Sequence, residues 1–417
     1  MKIAIVGAGI IGVTTAYELA VDGHEVTVFE RNSTAAAETS YANAGIVAPG
    51  YVTPWAAPGM SSKVLGHLLS SHAPVKINLP LSANELAWIW RWWRACRPEI
   101  FTRNRSRMQR LAVYSRQRLR QITAELELEY DRSQGYMVLL RSDKNRLHAQ
   151  PGLQILRDAG VTVSLIEPDA ARRIEPALNA DTPLSAAIHF PDDEVGNCRQ
   201  FALLLKDATR HLGARFEFEK AVVRIIPGLK PSIQVVGEPA ARPFGAVVMC
   251  AGPWSADLLR PPGLKLPLAM IHGYSVSAHV REPLDAPRSA IMDDRFKVVI
   301  SRLGKRVRVA GIAELGGSPD LMRADALKTL YKVLQDWFPG AARMSHGVQE
   351  WKGARPMLPD GPPVIGTSGL PGIWLNLGHG SSGWALSCGS ARLLADQMAG
   401  KTPEISMDGL GIERLSG

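Results

Sequence analysis

Near its start the chain contains the stretch Ile3-Ala4-Ile5-Val6-Gly7-Ala8-Gly9-Ile10-Ile11-Gly12. Its four apolar residues are typical of a buried strand, and they run directly into a glycine-rich turn. A helix of small residues follows to about Ala20, and a second strand runs from Glu25 to Phe29. The order of strand, glycine turn, helix and strand predicts a βαβ unit with parallel strands.

The glycines of this turn have separate physical roles in a dinucleotide site. Gly7 permits the tight turn, Gly9 lets the backbone approach a pyrophosphate, and Gly12 allows close contact between helix and strand. The free N–H groups of the helix start face the phosphates. Glu30 lies 18 residues beyond Gly12, where an acid accepts hydrogen bonds from a ribose diol. The pattern predicts a bound dinucleotide, either FAD or NAD; an ordinary βαβ start with incidental glycines is the alternative.

Length and composition indicate a globular protein of two or three domains. The chain has 417 residues, of which 46% are hydrophobic and 21% charged, which is ordinary for a soluble protein. The nearly uncharged stretch 3–19 could be misread as a signal sequence or membrane span, but its glycine spacing argues against both. The sequence has no other uncharged run of the roughly 18 residues that a span needs. We therefore expect a cytoplasmic protein that starts at Met1.

The four cysteines, Cys96, Cys198, Cys250 and Cys388, are far apart in the sequence. They have no His or Cys at metal-ligand spacing, so we expect neither a structural zinc site nor a disulfide framework. Free, buried or half-buried thiols are the expectation.

The net charge of +9 is unevenly distributed. Ten arginines and a single acid, Glu99, lie between Arg91 and Arg120, directly after the tryptophan-rich stretch 88–93. A solvated helix face beside aromatic core residues is one interpretation. A contact with an anionic membrane surface is a second, because tryptophan and arginine suit the headgroup boundary. Nucleic-acid binding is a third, which we do not favour because the remaining chain has the pattern of a cofactor enzyme.

The last 45 residues show the same order of strand, glycine-rich turn and helix as the first thirty. The strand 373–377 leads into Gly378-His379-Gly380-Ser381-Ser382-Gly383, and a helix follows from Trp384 to about Met398. A helix N-terminus carries positive charge and unpaired N–H donors, which would stabilise negative charge on a reduced flavin ring. A helix cap without a ligand is the alternative. Because no second Gly-x-Gly-x-x-Gly occurs, one dinucleotide bound by both chain ends fits better than an NAD-plus-FAD reductase.

Short motifs along the whole chain form a set. They are Thr39-Ser40 with Ala42-Asn43-Ala44-Gly45, Pro49-Gly50-Tyr51, Pro54-Trp55-Ala56-Ala57-Pro58-Gly59, His72-Ala73-Pro74, Pro191-Asp192-Asp193-Glu194, His272-Gly273-Tyr274-Ser275, Gly353-Ala354-Arg355-Pro356-Met357 with Pro359-Asp360-Gly361, and the closing turn with Trp384. Together they resemble the D-amino-acid oxidase-like flavoenzymes, which include glycine oxidase and sarcosine oxidase. Within this group the chain is most similar to the bacterial membrane-associated D-amino-acid dehydrogenases, and the proline–tryptophan loop and the His-Ala-Pro segment are specific to that branch.

The resemblance implies an α/β fold with a Rossmann-like FAD-binding domain of the glutathione reductase type. An α+β substrate domain, built on a largely antiparallel sheet, is expected to be inserted into it. Residues 267–345 show successive strands joined by short turns, as in β-hairpins, which agrees with such a layer. The expected segments are 1–82, 191–266 and 346–417 for the FAD-binding domain, and 83–190 and 267–345 for the substrate domain.

The resemblance also implies where FAD is bound. The flavin ring is expected beside Ser40 and the segment 43–46, with 380–383 at its other edge. Val223 is expected to contact the adenine side through its backbone, and Ala251-Gly252 to line the pyrophosphate region. The complete set of expected cofactor contacts is Gly7, Ala8, Gly9, Ile10, Ile11, Gly12, Glu30, Arg31, Thr39, Ser40, Asn43, Ala44, Gly45, Ile46, Val223, Ala251, Gly252, Gly378, His379, Gly380, Ser381, Ser382, Gly383 and Trp384.

For the substrate, the resemblance implies that Arg355 holds a carboxylate, because a guanidinium fork suits bidentate carboxylate binding. A structural ion pair is the alternative role. Tyr274 is expected to assist, and Arg302 is the runner-up cation. His379 is expected to orient its turn rather than act as a base. Some relatives place a basic residue in the closing turn, where this chain has Ser381-Ser382, so a second cationic clamp is not expected there.

The resemblance implies hydride transfer from Cα of a D-amino acid to flavin N5, and hydrolysis of the imino acid to a 2-oxo acid and ammonia. It implies a quinone or respiratory-chain acceptor, and a peripheral position on the inner face of the cell membrane. A dehydrogenase or oxidase of D-hydroxyproline or another secondary or small amino acid is an alternative. A flavin subunit of an electron-transfer complex, without its own substrate site, is an alternative from a different class.

Overall fold

A computed structural model describes residues 1–60, 64, 73–158 and 160–415. The strands are β1 (Lys2–Val6), β2 (Glu25–Phe29), β3 (Ile46–Val47), β4 (Val75–Ile77), β5 (Ser133–Leu140), β6 (Ser164–Ile166), β7 (Ala186–Val195), β8 (Arg215–Glu217), β9 (Val222–Ile226), β10 (Ser232–Val235), β11 (Arg242–Pro243), β12 (Ala246–Met249), β13 (Ala269–His279), β14 (Ala290–Asp293), β15 (Val298–Leu303), β16 (Arg306–Leu315), β17 (Gln349–Met357), β18 (Val364–Thr367) and β19 (Ile373–Leu377). The helices are α1 (Ile10–Val21), α2 (Ala83–Ala95), α3 (Pro98–Glu125), α4 (Asp143–Asp158), α5 (Pro168–Ile174), α6 (Cys198–His211), α7 (Ser255–Leu259), α8 (Ala324–Trp337) and α9 (Gly383–Met398).

A six-stranded sheet forms the first part of the fold, in the order β18-β19-β12-β1-β2-β8. Its pairs are parallel except for the edge strand β18. One face packs against α1, α3, α6 and α9 through apolar side chains such as Ile5, Val13 and Leu394. The other face packs against the three-stranded sheet β11-β10-β9. This layering of helices, parallel sheet and small antiparallel sheet confirms the predicted Rossmann-like domain.

A larger sheet forms the second part, in the order β17-β13-β16-β15-β14-β5-β7-β3, with β4 paired to β16 and β6 to β7. It is mainly antiparallel, as predicted, with parallel pairs between β14 and β5 and between β16 and β4. Helix α8 covers one face, which we call the outer face; Val276, Ile300, Val309 and Trp337 belong to that core. The opposite face, which we call the inner face, turns towards the nucleotide-binding layers.

The sheet pairing differs from the predicted segment boundaries in three places. Strands β3 and β4 lie within segment 1–82, and β17 lies within segment 346–417, yet all three pair in the larger sheet. Helix α3, from segment 83–190, packs instead with α1 and α9 on the six-stranded sheet. These elements cross between the two layers because each needs a partner to bury its apolar side. The division into five segments stays a prediction.

A buried ionic cluster joins α1, α3 and α9. The carboxylate of Glu18 is fully buried and accepts from Arg118 Nε at 2.6 Å and from Arg392 Nη1 at 2.9 Å. Arg116 and Arg107, also on α3, pair with Asp193 and Asp408. The interpretation of the arginine-rich stretch as a merely solvated face is therefore wrong for α3, because many of its arginines tie it to neighbouring elements.

The tryptophans of α2 divide between core and surface. Trp88 is buried, and its Nε1 donates to the carbonyl oxygen of Met357 at 2.9 Å. Trp90 and Trp93 are 58% and 49% exposed and stack on each other. Within the described ranges, the helices lack the combination of length and apolarity that crossing a bilayer requires. All four cysteines are free, as predicted.

Candidate active site

The glycine turn after β1 has the predicted geometry. Gly7 adopts a φ of +101°, and a Cβ there would lie 2.6 Å from the carbonyl oxygen of Cys250. A Cβ on Gly12 would lie 1.9 Å from the carbonyl oxygen of Gly7. Gly9 has no such crowding, since its nearest neighbour would be Ser40 Oγ at 3.5 Å. Two glycines are thus required by the protein itself, whereas Gly9 is left free for a ligand to approach.

Glu30 is fixed beside this turn. Its Oε2 accepts from the backbone N–H of Ala8 at 2.8 Å, and its Oε1 accepts from the backbone and side chain of Asn32 at 2.9 and 2.7 Å. Arg31, next in the chain, donates to Glu38 and lies over the ring of Trp254 at 4.2 Å. A carboxylate oxygen has further acceptor sites, so Glu30 can still receive hydroxyl donors from a ribose.

The expected pyrophosphate and adenine contacts lie next to these groups. Ala251-Gly252 follows β12, and the Cα of Ala251 would lie 3.1 Å from a Cβ on Gly7. The backbone N–H of Lys220 donates to the carbonyl oxygen of Glu30 at 2.9 Å. Val223, three residues further, is 53% exposed at the start of β9. The structure therefore brings all of these segments to the carboxyl end of β1 and β2.

Residues 39–45, which we call the flavin loop because the resemblance implies the flavin ring beside them, connect the six-stranded sheet to the larger sheet. Ser40 Oγ accepts from the backbone N–H of Ile10 at 3.0 Å, and Thr39 Oγ1 donates to the carbonyl oxygen of Ala354 at 2.6 Å. Asn43 Oδ1 accepts from the N–H of Gly45 at 2.8 Å, and Ile46 then enters β3. The loop is thus fastened to the first helix at one point and to the strand that bears Arg355 at another.

The closing turn reaches the same loop. Gly380 to Ser382 form a single 3₁₀ turn before α9, and the α9 N-cap makes no side-chain capping bond. Trp384 is buried, and its Nε1 donates to the carbonyl oxygen of Gly45 at 3.3 Å. The N–H groups at the start of α9 therefore lie near the flavin loop without side-chain caps, which suits a ligand that carries negative charge.

His379 is a poor candidate for direct contact through its ring. The side chain is 3% exposed, and its Nε2 lies 3.0 Å from Ser390 Oγ, inside α9. Burial lowers the pKa of His379 to about 3, so the imidazole is neutral. Its backbone pairs with Met357 at the end of β17. The role of His379 in orienting the turn stays a prediction.

Arg355 lies on the edge strand β17, where the missing N–H of Pro356 costs no ladder bond. Its Nη1 donates to the carbonyl oxygen of Ile312 at 2.9 Å, and its guanidinium lies 5.9 Å from the ring of Trp55. Among the described residues, no acidic side chain forms an ion pair with Arg355, and burial lowers the pKa of Arg355 to about 10. A half-buried guanidinium without a carboxylate partner is suited to an anionic ligand.

Gly273 makes room for this guanidinium. A Cβ on Gly273 would lie 2.2 Å from Arg355 Nη2. The two residues are on neighbouring strands and on the same face, because Ile271 pairs with Arg355 and Gly273 with Gly353. The sequence signal was the glycine in the middle of a strand pattern, which marks close approach by another group.

Tyr274 and Arg302 are corrected by the structure. Tyr274 pairs with Lys352, so its side chain points to the outer face, away from Arg355. It is fully buried, and its hydroxyl donates to Glu314. Burial and this carboxylate raise the pKa of Tyr274. The tyrosine thus belongs to a structural polar cluster on the outer face and does not join Arg355.

Arg302 also points to the outer face, since it pairs with Val307 next to the inner-face pair of Ser301 and Arg308. It donates to the carbonyl oxygens of Gly304 and Pro283, both at 3.2 Å. The first bond lies within the turn between β15 and β16, and the second ties this turn to the loop between β13 and β14. Arg302 therefore has a structural role and is not a second cation of the site.

Arg308 is a further cation on the inner face, and it was not among the residues expected in the site. Its Nη1 donates to the carbonyl oxygen of Asn43 at 2.8 Å, in the flavin loop, and its Nε donates to Ser277 Oγ at 2.9 Å. The available signal was the alternation Arg306-Val-Arg308-Val, with charged residues on one face of a strand in the centre of the sheet. His72, from the His-Ala-Pro motif, lies outside the described residues.

Comparison with known proteins identifies the family of this chain. A family model described as FAD dependent oxidoreductase matches residues 2–397. The D-amino acid dehydrogenase of Cereibacter sphaeroides is 40% identical over 418 residues, which cover 99% of this chain and 95% of the relative. The D-amino acid dehydrogenase of Bradyrhizobium diazoefficiens is 38% identical over 418 residues, which cover 100% of this chain and 99% of the relative.

Solved structures share the fold across the whole chain. Glycine oxidase from Geobacillus kaustophilus superposes with a TM-score of 0.77 at 20% identity, covering 99% of this chain and 98% of that chain. L-proline dehydrogenase from P. horikoshii superposes with a TM-score of 0.76 at 17% identity, covering 100% and 97%. The family match and the full-length relatives decide membership: the chain belongs to the FAD dependent oxidoreductase family.

Proposed function

We propose that this protein is an FAD-dependent dehydrogenase that oxidatively deaminates D-amino acids to 2-oxo acids and ammonia. The observation that carries the proposal is Arg355, a half-buried guanidinium without an acidic partner, on the strand to which the flavin loop is fastened. The relatives at 38–40% identity over the full chain are D-amino acid dehydrogenases, which supports the same substrate class here.

The residues present fit FAD. Gly9 is uncrowded, Glu30 is oriented at the end of β2, and the N-cap residues of α1 and α9 make no side-chain capping bond. We propose that the first glycine turn and Glu30 hold the ADP half. The flavin loop and the closing turn would then hold the ring. When bound, FAD accepts the hydride that leaves the substrate Cα.

Arg355 is proposed to hold the substrate carboxylate through paired N–H donors, which fixes the orientation of Cα. Positioning then supplies much of the rate. The amine is oxidised in its neutral form, so an obligatory protein base is not required. The two nearby buried histidines agree with this, because His379 points into α9 and His272 lies on the outer face beside Tyr274. The imino acid product takes up water and releases ammonia and the 2-oxo acid.

The function is tested by anaerobic bleaching of the bound flavin with a panel of D- and L-amino acids. We expect loss of the flavin absorbance with D-alanine and other D-amino acids, and little change with their L enantiomers. Preferential bleaching by D-hydroxyproline or another secondary amine would favour the related alternative. If no amino acid bleaches the flavin and the isolated chain reduces no artificial dye, a subunit without a substrate site becomes the better account.

We further propose that the electrons pass to a quinone rather than to oxygen. The test compares the rates at which a soluble quinone and dissolved oxygen reoxidise the reduced enzyme. Faster reoxidation by the quinone is the expected result. Rapid peroxide formation in air would mean that the enzyme is an oxidase.

Membrane contact is proposed through α2. Leu86, Trp90 and Trp93 are 55%, 58% and 49% exposed, and the exposed Arg91 and Arg94 lie between and beside them on the same helix. Apolar and cationic groups together suit an anionic lipid surface. We expect the protein to sediment with vesicles of phosphatidylglycerol, and the double variant Trp90→Ala, Trp93→Ala to remain in the supernatant. Equal sedimentation of both proteins would contradict this surface.

A further inference from the structure

Besides Arg355, the inner face of the larger sheet carries Arg306 and Arg308, and the reaction as described uses neither of these two. Arg308 on β16 pairs with Ser277 on β13 and with Ser301 on β15. Ser277 shares its face with Gly273, over which Arg355 lies, because the two positions are four residues apart on one strand. At about 3.3 Å per residue, Ser277 and Gly273 are roughly 13 Å apart along β13.

Arg308 has no counter-charge of its own. Within the described ranges, no carboxylate forms an ion pair with Arg308, and its two hydrogen-bond acceptors, Asn43 O and Ser277 Oγ, are neutral. The donors to these acceptors are Nε and Nη1, so the N–H groups of Nη2 have no partner among the described residues. Burial lowers the pKa of Arg308 to about 10. Burial of a guanidinium away from water costs free energy unless an anion pairs with it.

The groups around Arg308 are polar but unsatisfied. Ser301 and Ser275 lie on the same inner face, and their side chains are almost completely buried. Neither Oγ has a hydrogen-bond partner among the described residues. Because buried polar groups normally have hydrogen-bond partners, unpartnered hydroxyls beside an unpaired guanidinium indicate a polar site that binds a further group.

Arg308 is also linked to the start of α9 through the flavin loop. Its Nη1 holds the carbonyl of Asn43, the side chain of Asn43 holds the N–H of Gly45, and the carbonyl of Gly45 accepts from Trp384. These three hydrogen bonds connect the sheet to the second helix N-terminus. Loss of the first bond would release the middle of the loop.

We propose that Arg308 is a positioning residue of the flavin site, which fixes the flavin loop on the inner face and adds positive charge there. The proposal rests on the proposed function, since it assigns the flavin ring to this loop. It assigns separate tasks to the two arginines. Arg355 holds the substrate carboxylate, whereas Arg308 acts on the cofactor through Asn43 and through its charge.

The test measures the cofactor and needs no substrate. Arg308→Met, Arg308→Lys and the matched outer-face variant Arg302→Met are compared for the Kd of FAD on the apoprotein and for the midpoint potential of the bound flavin. We expect Arg308→Met to weaken FAD binding about tenfold, as for loss of a charge-assisted hydrogen bond, and to shift the potential to a more negative value. Arg308→Lys should keep the potential near wild type but still bind FAD less tightly, because a lysine cannot hold Ser277 and Asn43 together.

Arg302→Met should leave both quantities unchanged. Wild-type Kd and potential in Arg308→Met would overturn the proposal, as would equal shifts in Arg302→Met. If Arg308→Met does not fold, Arg308→Lys decides: wild-type FAD affinity, or a potential that falls despite the retained charge, overturns it. Failure of this test leaves the D-amino-acid assignment intact, because that assignment depends on Arg355 and on bleaching by substrate.

Discussion

The hydroxyl of Thr39 donates a hydrogen bond of 2.6 Å to the carbonyl oxygen of Ala354, directly beside Arg355. Residues 39 and 354 belong to opposite ends of the chain, so this bond joins the flavin loop to the substrate-binding strand. Ser40, the next residue, accepts from the first turn of α1. These two hydrogen bonds therefore fix the position of the flavin loop relative to the strand that carries Arg355.

Thr39→Val tests this relation. Removing the hydroxyl leaves the Ala354 carbonyl without its donor, which costs about 1 kcal/mol and loosens the loop against β17. We expect a several-fold rise in KM for D-alanine and a fall in FAD affinity. Thr102→Val, at an exposed position of α3, is the control and should match wild type. Unchanged KM and FAD affinity in Thr39→Val would mean that the bond does not couple the two sites.

Gly273→Ala should damage the substrate site without disturbing the fold. The new Cβ would lie 2.2 Å from Arg355 Nη2, so the guanidinium must move. A displacement of about 1 Å costs on the order of 100-fold in kcat/KM. Gly152→Ala, in α4 where a Cβ meets no atom within 4 Å, is the control and should be neutral or slightly stabilising. A wild-type kcat/KM in Gly273→Ala would mean that catalysis does not depend on the position of Arg355.

Glu18→Gln should destabilise the protein strongly. The substitution leaves Arg118 and Arg392 without their shared, fully buried carboxylate, which typically costs about 3–5 kcal/mol. Urea denaturation followed by far-UV circular dichroism measures the change. Glu25→Gln removes only the exposed 3.8 Å contact with Lys2 and should stay within about 0.5 kcal/mol of wild type. Similar losses in both variants would contradict the structural role of the cluster.

His379 predicts a pH dependence of stability. Its folded pKa of about 3 lies below its unfolded value of about 6.5, so the unfolded state binds the proton more readily. The contribution is fully present above pH 6.5 and is lost as the pH falls towards 3. At pH 5.5 wild type should have lost about 1.4 kcal/mol more than His379→Asn, relative to pH 8. Replacement of the exposed His346 is the control, and equal pH slopes in wild type and His379→Asn would refute the assignment.

Local sequence patterns predicted the parts of the site that one segment builds. The turn at Gly7 and Gly12 requires glycine through backbone contacts alone, so its spacing is visible in the sequence. Glu30 could be placed because strand length fixes where β2 ends. The start of α9 was visible for the same reason.

The faces of the larger sheet could not be predicted in this way. A strand buried on both sides loses its alternation, and a β-bulge in β16 near Ile312 shifts the pairing with β13. The resemblance implies that Tyr274 assists Arg355, whereas the register puts it on the other face. Arg308 was missed because its partner, the carbonyl of Asn43, is 265 residues away in the sequence.

The central claim is that Arg355 holds a D-amino acid against the bound flavin, and the rate of anaerobic flavin reduction by D-alanine tests it directly. Wild type should be reduced rapidly by D-alanine and hardly at all by L-alanine. Arg355→Leu should retain FAD but be reduced by D-alanine at least about 100-fold more slowly, because paired charge-assisted hydrogen bonds to the carboxylate are lost. Reduction of Arg355→Leu at the wild-type rate, or equal reduction of wild type by the two enantiomers, would contradict the account.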